Sequence, residues 1–196
     1  MRETDLKKLK KRLGEIILEK SFLYRENPPF TLTSGKKSNY YFNCKPTTLD
    51  PEGMNLIGEI IFTMLADTEI SAAGGLTLGA DPIAHALSFI SYQKGKPIKS
   101  FVIRKEAKAH GTEAFLEGEV KAGEKVVIID DVITTGGSTI SAIEKARAAG
   151  LIVERVIVLI DREEGGREEI EKYVPRVEAI FTRGEIMKLY EGGKDV

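Results

Sequence analysis

The stretch Lys125 to Thr139, KVVIIDDVITTGGST, leaves this chain little choice of fold. Val126 to Ile129, led by Lys125, is apolar and β-branched, does not alternate, and is too short for a helix. It reads as a buried parallel strand. Asp130 and Asp131 stand where that strand is predicted to end. Thr134-Thr135-Gly136-Gly137-Ser138-Thr139 follows, small and hydroxylated, and leads into the helical pattern Ile140, Ile143, Ala146, Arg147. A strand, a tight loop of small residues and a helix N-terminus make an anion cradle. Glycines let main-chain N–H groups come close, hydroxyls add donors, and the helix end contributes positive potential. The stretch therefore reads as a phosphate site with two carboxylates beside it.

Those carboxylates separate one kind of phosphate ligand from others. A Walker loop needs a lysine that this loop does not have. A dinucleotide fingerprint needs G-x-G-x-x-G and one acid well downstream, and neither is present. Two acids just ahead of the cradle suit vicinal hydroxyls one sugar away from a 5′-phosphate, with or without Mg²⁺. A plain polar turn with one aspartate as a cap needs neither the second acid nor so many small residues. A hydrophobic run, two acids and then T-x-G-G-[ST]-T resembles the phosphoribosyl-diphosphate (PRPP) motif of the type I phosphoribosyltransferases. The resemblance implies that Asp130 and Asp131 hold the ribose 2′- and 3′-hydroxyls. It also implies that Val132, Ile133, Thr134, Thr135, Gly136, Gly137, Ser138 and Thr139 bind PRPP, the loop holding its 5′-phosphate.

The chain has 196 residues, enough for one domain with a sizeable core. With 29 basic and 30 acidic residues its net charge is −1, so bulk electrostatics favour neither nucleic acid nor membrane. The single cysteine, Cys44, rules out an internal disulfide and any multi-thiolate zinc site, which suits a reducing cytosol. No apolar run approaches the ~18 residues of a membrane span, and the first twelve residues lack the apolar core of a secretion signal. The expected location is cytoplasmic. Leu6, Leu9, Leu13, Ile16 and Ile17 predict an amphipathic helix over Thr4 to Lys20. The lysines between them are its solvated face.

Phe30 to Lys45, FTLTSGKKSNYYFNCK, changes character. Two short extended pieces flank the turn signal Ser34-Gly35-Lys36-Lys37, which predicts a hairpin. Tyr40, Tyr41 and Phe42 cannot all face one core if they lie on a strand, because side chains alternate. At least one must line a surface or a pocket. The string F-T-L-x-S-G-x-x-S-x-Y-[YF]-F resembles the hood of the orotate phosphoribosyltransferases. That resemblance implies orotate contacts at Tyr41 and Phe42. Thr33 stands where some relatives have a PRPP-binding lysine.

Asp50-Pro51 and Asp81-Pro82 both read as helix starts, with an acid at the N-cap and proline at N1. Ile70 to Gly75 and Ile98 to Ile103 read as strands. Gly74 to Ala80, between a strand and a helix, resembles the family's pyrophosphate loop, although Gly79 replaces a lysine found in some members. From Arg104 to Lys125 there is no convincing periodicity. A loop of that length in a compact domain is functional or disordered, and its cations could neutralise a pyrophosphate. The string R-K-E-x-K-x-H-G, followed by Leu116-Glu117-Gly118, resembles the mobile catalytic loop of orotate phosphoribosyltransferases. It implies PRPP-binding and catalytic roles for Arg104, Lys105, Lys108 and His110, with Lys108 and His110 assisting the leaving oxygens.

Gly150 is placed to end the helix that begins at the cradle, and Ile152 to Ile160 reads as the next strand. Arg162, just beyond it and next to a glycine loop, is well placed for a ligand carboxylate. By resemblance it contacts orotate, together with Thr134. Thr182-Arg183-Gly184-Glu185 reads as a capping box opening a last helix.

The predicted fold is α/β, a Rossmann-like open parallel sheet flanked by helices (the type I phosphoribosyltransferase core) with a small N-terminal hood. It forms a single domain over residues 1–196, with the hood at about 20–45 and the catalytic loop at about 104–118. The implied reaction joins orotate and PRPP to give orotidine 5′-monophosphate and pyrophosphate, a step of pyrimidine biosynthesis. Mg²⁺ is the expected cofactor, held mainly by PRPP and water with no direct protein ligand. The resemblance also implies a homodimer in which the 104–118 loop reaches the neighbouring site. Two other readings share the cradle: transfer to another nucleobase, and a non-enzymatic PRPP-sensing regulator.

Overall fold

The computed structural model describes residues 3–31, 37–106 and 115–192. The first helix, α1 (Glu3–Lys20), buries Leu13, Ile16 and Ile17, as its apolar spacing predicts. Four short strands follow: β1 (Phe22–Tyr24), β2 (Phe30–Thr31), β3 (Lys37–Ser38) and β4 (Tyr40–Phe42). β2 and β3 pair as the predicted hairpin, and β4 pairs antiparallel with β1. The turn of that hairpin, with Thr33, Ser34, Gly35 and Lys36, lies outside the described residues.

A four-residue helix, α2 (Lys45–Thr48), leads into α3 (Pro51–Met64). Asp50 caps α3 as expected, its Oδ1 accepting from the N–H groups of Glu52 and Gly53 at 3.0 Å each. The chain then alternates through β5 (Ala72–Leu76), α4 (Asp81–Gln93), β6 (Lys99–Ile103), β7 (Leu116–Glu117), β8 (Lys125–Ile133), α5 (Gly137–Ala148) and β9 (Ile152–Asp161). It closes with α6 (Gly166–Glu171), β10 (Val177–Thr182) and α7 (Arg183–Gly192).

Six strands form the main sheet, in the order β10-β9-β8-β5-β6-β7. All neighbours pair in parallel except β6 and β7. The antiparallel edge strand departs from the expectation of an all-parallel sheet and of an unstructured 104–125 segment. Two residues are too few to show a period of two in the sequence. α1, α3, α4 and α7 cover one face of the sheet, and α5 and α6 cover the other. Alternation along β8 assigns its side chains accordingly. Val127 and Ile129 join the α3 side, while Val126 and Ile128 join the α5 side.

Two predicted boundaries move. β8 runs on to Ile133, so the paired acids lie inside the strand rather than at its end. Asp81 opens α4 without capping it, because its Oδ2 accepts instead from Thr77 Oγ1 at 2.7 Å. The capping box of α7 forms in both directions. Thr182 N donates to Glu185 Oε2 at 2.8 Å, and Glu185 N donates to Thr182 Oγ1 at 3.1 Å. Thr182→Ala is therefore expected to lower stability by about 1 kcal/mol, read from the urea midpoint at an unchanged slope. A midpoint equal to that of the unaltered chain would show that the box contributes nothing.

Candidate active site

The strand order reverses between β5 and β8. The strand after β5 pairs on one side of it and the strand after β8 pairs on the other, which opens a crevice at their C-terminal ends. Two contiguous cavities occupy that crevice and share Asp130 and Ser138. The first, of about 360 Å³, is lined by Tyr41, Asp130, residues 132–139 and Arg162. The second, of about 410 Å³, is lined by Leu76 to Gly79, Lys45, Lys105, both aspartates and Ser138.

The floor of the first cavity is the loop into α5. Gly136 sits at the N-cap with φ +83°, and no side chain caps the helix. The first-turn N–H groups of α5 thus lack an acceptor within the helix, and they open onto the cavity. The loop is braced from behind by the turn before α6. A Cβ on Gly136 would come within 2.8 Å of the Gly166 carbonyl oxygen, and one on Gly166 within 2.6 Å of the Thr134 carbonyl oxygen. Two main chains touch here, which only glycine permits.

The two aspartates differ. Asp130 Oδ1 accepts from Asp131 N at 2.9 Å, and Oδ2 accepts from Thr139 Oγ1 at 2.7 Å. Burial nevertheless pushes the Asp130 carboxyl up from 3.8 to about 7, and the charge of Asp131 adds to the rise. Asp131 Oδ1 accepts from Val132 N at 3.0 Å, and its carboxylate lies against Gly79.

Arg162 follows β9 and is only 7% exposed. Its guanidinium stands over the Tyr40 ring at 5.4 Å. Glu164 Oε1 lies 2.8 Å from Nη2 but off the N–H direction, so the contact is an ion pair and not a hydrogen bond. Nε and Nη2 are buried without an acceptor. A buried guanidinium with open donors is costly unless a ligand completes it.

Most of the site residues predicted from sequence come together. Asp130, Asp131, 132–139, Tyr41, Arg162 and Lys105 all line the crevice. Phe42 does not. It is 7% exposed and packs on Phe22 at 5.2 Å between ring centroids, so only its main chain could reach a ligand. Alternation puts Tyr41 on the open side and Phe42 in the core. Arg104 pairs with Glu117 at 3.3 Å, and its N–H donates to the Phe115 carbonyl at 2.7 Å. Lys145 secures this loop base by donating to the carbonyls of Arg104 and Lys105. Lys108 and His110 lie outside the described residues. Lys45 and Glu164 were not singled out from the sequence, and Tyr40 was named only as one of three aromatics that cannot all face the core. No periodic signal marks Lys45 or Glu164, and only the tertiary fold brings them to the site.

A family model described as phosphoribosyl transferase domain matches residues 72–186. The chain is 43% identical over 178 residues to the orotate phosphoribosyltransferase of Aquifex aeolicus, covering 91% of this chain and 97% of that one. The chain belongs to the orotate phosphoribosyltransferase family. The Nostoc enzyme is 42% identical over 189 residues, covering 95% of this chain and 89% of its own. The solved orotate phosphoribosyltransferase of Mycobacterium tuberculosis in complex with Fe(III) dicitrate superposes with a TM-score of 0.79 at 34% identity. That match covers 91% of this chain and 98% of the other. The same enzyme in complex with PRPP gives a TM-score of 0.75 at 31% identity, with the same coverage. The family model begins at Ala72 and leaves out the hood, which the full-length relatives include.

The raised Asp130 carboxyl gives a pH signature. Its folded value lies above the ordinary 3.8, so the stability it contributes is complete below about pH 4 and is lost as pH rises through about 7. Asp130→Asn, neutral at every pH, is expected to melt above the unaltered ligand-free chain at about pH 8, with the gap closing towards about pH 4. A pH-independent difference in melting temperature would show that Asp130 is not held protonated.

Proposed function

We propose that this chain is an orotate phosphoribosyltransferase, joining orotate to PRPP to release pyrophosphate and orotidine 5′-monophosphate in pyrimidine biosynthesis. The observation that carries the reading is the buried Arg162, two of whose nitrogens lack a hydrogen bond, beside an uncapped helix N-terminus and two carboxylates. A phosphate, a ribose and a carboxylate-bearing ring each find a matching surface along one cleft. The relatives' activity supports the same reading.

In this site the loop 134–139 holds the 5′-phosphate with main-chain N–H groups and hydroxyls. Asp130 and Asp131 position the ribose through its vicinal hydroxyls. Arg162 orients the orotate carboxylate, and Tyr41 and Thr134 border the ring. The ring nitrogen attacks carbon 1 as its bond to the diphosphate oxygen breaks, and the ring N–H proton is given up. Carbon 1 takes on oxocarbenium character on the way, so the protein supplies position and charge rather than a nucleophile. Lys105 and Arg104, with Lys108 and His110, balance the charge on the leaving diphosphate. Excluding water from the cleft protects PRPP from hydrolysis.

Among the described residues no three His, Cys, Asp or Glu side chains gather into a metal cage. The paired carboxylates fit a Mg²⁺ ion carried mainly by PRPP and water. Bound there, the ion would neutralise diphosphate charge. No helix among the described residues is long and apolar enough to cross a membrane, and we place the reaction in the cytoplasm.

We also propose a homodimer. Phe89 and Tyr92 are 64% and 74% exposed on α4, an apolar surface of the kind that subunit contacts cover. In the proposed dimer the 104–118 loop completes the neighbour's site.

The orotate role has a direct test. Arg162→Ala is expected to raise the orotate KM roughly tenfold to hundredfold and to change the PRPP KM far less. Equal losses for both substrates would make Arg162 structural. The dimer is tested by mixing two inactive variants, Lys108→Ala and Asp131→Asn. With random subunit exchange, half the dimers are mixed and each keeps one intact site, so roughly a quarter of full activity should return. No recovery after demonstrated exchange would mean that each loop serves its own subunit.

A further inference from the structure

We infer that Lys45 is a substrate-binding residue, which holds the diphosphate end of PRPP in the second cavity. The inference rests on reading the crevice as the PRPP site, and it adds a residue that neither the sequence pattern nor the phosphate loop points to.

The argument starts from charge. The second cavity is the side of the crevice away from the phosphate loop's glycines, so a ribose held at the aspartates would extend its diphosphate there. Asp130 and Asp131 line this cavity too, and a diphosphate beside two carboxylates needs cations. The β5 loop supplies none at Gly79, which carries no side chain and lies against the Asp131 carboxylate. Among the described residues lining the cavity, the cations are Lys45 and Lys105. Lys105 belongs to the root of the 104–118 loop, whereas Lys45 stands on the scaffold.

That scaffold is tightly held. Thr47 is fully buried, and its hydroxyl lies 2.6 Å from the Ser21 hydroxyl. The Thr47 carbonyl oxygen sits so close to α3 that a Cβ on Gly53 would meet it at 2.2 Å. The Asn43 side chain accepts from the Lys45 N–H at 3.4 Å. The neighbouring Cys44 thiol is buried, and the charges of Asp131 and Asp130 reach it, so this segment runs against the acids of β8.

Lys20, Lys99 and Lys125 each pair with a carboxylate, whereas among the described residues no carboxylate pairs with the Lys45 ammonium. A flexible point charge on a fixed base suits a group that must meet an anion of changing geometry as the diphosphate departs.

Kinetics in both directions test this. Lys45→Ala and Lys45→Gln are expected to raise the KM for PRPP in the forward reaction and for pyrophosphate in the reverse reaction roughly tenfold. The KM values for orotate and for orotidine 5′-monophosphate, which carry no diphosphate, should stay within about twofold, and Lys45→Arg should restore most of the loss. Unchanged PRPP and pyrophosphate KM values in variants that melt like the unaltered chain would overturn the inference. So would a rise shared equally by orotate and orotidine 5′-monophosphate, the mark of a structural effect. Failure of the unaltered chain to use PRPP at all would overturn the reading beneath it, whatever Lys45 does.

Discussion

The parting of β5 and β8 is the constraint on which this site depends. Their main chains are pressed together just before they diverge: a Cβ on Gly75 would meet the Ile129 carbonyl oxygen at 2.1 Å. Beyond that contact the connections leave in opposite directions, and a crevice opens that no side chain had to be removed to create. The β5 side contributes main chain from Thr77 to Gly79. The β8 side contributes the two carboxylates and then the loop into α5. Because the acids lie within a paired strand, alternation sends Asp130 towards α5 and Asp131 towards Gly79. One dipeptide thereby serves both cavities.

Electrostatics explains how such a site stays folded when empty. Two adjacent carboxylates under partial burial repel each other and lose hydration. Thr139 and the Asp131 N–H offset part of that cost at Asp130, and protonation offsets more, as its raised value shows. At the other end the reverse problem, a buried cation, is met by Glu164 and the Tyr40 face, yet Nε and Nη2 of Arg162 make no hydrogen bond. Both ends of the crevice hold imperfectly satisfied charge. Free energy left unspent in folding is available to ligands that complete the pairing.

Much of this was legible in the sequence wherever the signal was local. The run from Lys125 to Thr139 specifies strand, loop and helix within fifteen positions of chain, and the capping box at Thr182 and Glu185 forms as its spacing predicts. Arg162 could be read because it ends a strand next to glycines. What could not be read depends on the partners of short pieces. α2, α6 and β7 are too brief for a period, and only their packing makes them regular. Alternation said that Tyr40, Tyr41 and Phe42 cannot all face one core, but the choice is made by Phe22, which Phe42 meets across the β1–β4 ladder. Lys45 was invisible for a related reason, since its place beside the crevice depends on how α2 packs on α1 and α3. Lys108 and His110 remain expectations of the sequence alone.

The hood, finally, is part of the core rather than a cover set upon it. Phe22, Phe42 and Cys44 belong to the same buried cluster as α1, α3 and the central strands. Tyr190 of α7 packs edge-on against Phe22 at 5.2 Å and lies 5.4 Å from Tyr24, so the last helix described here grips the first strand. On β4, Tyr40 packs its ring on that cluster, 5.8 Å from Phe42, and lies beneath the guanidinium of Arg162, while its hydroxyl accepts from Arg183 Nη1 at 3.2 Å. Arg183 in turn stands 3.5 Å from Glu163, which accepts from the Gly184 N–H. The N-terminal strands, the turn after β9 and the start of α7 thus form one continuous polar and aromatic contact. Arg162 is aimed by residues that lie far apart in the chain. The proposed base-recognition site acquires its geometry only when both ends of the chain have folded, which is why Arg162 can be picked out in the sequence while its orientation cannot.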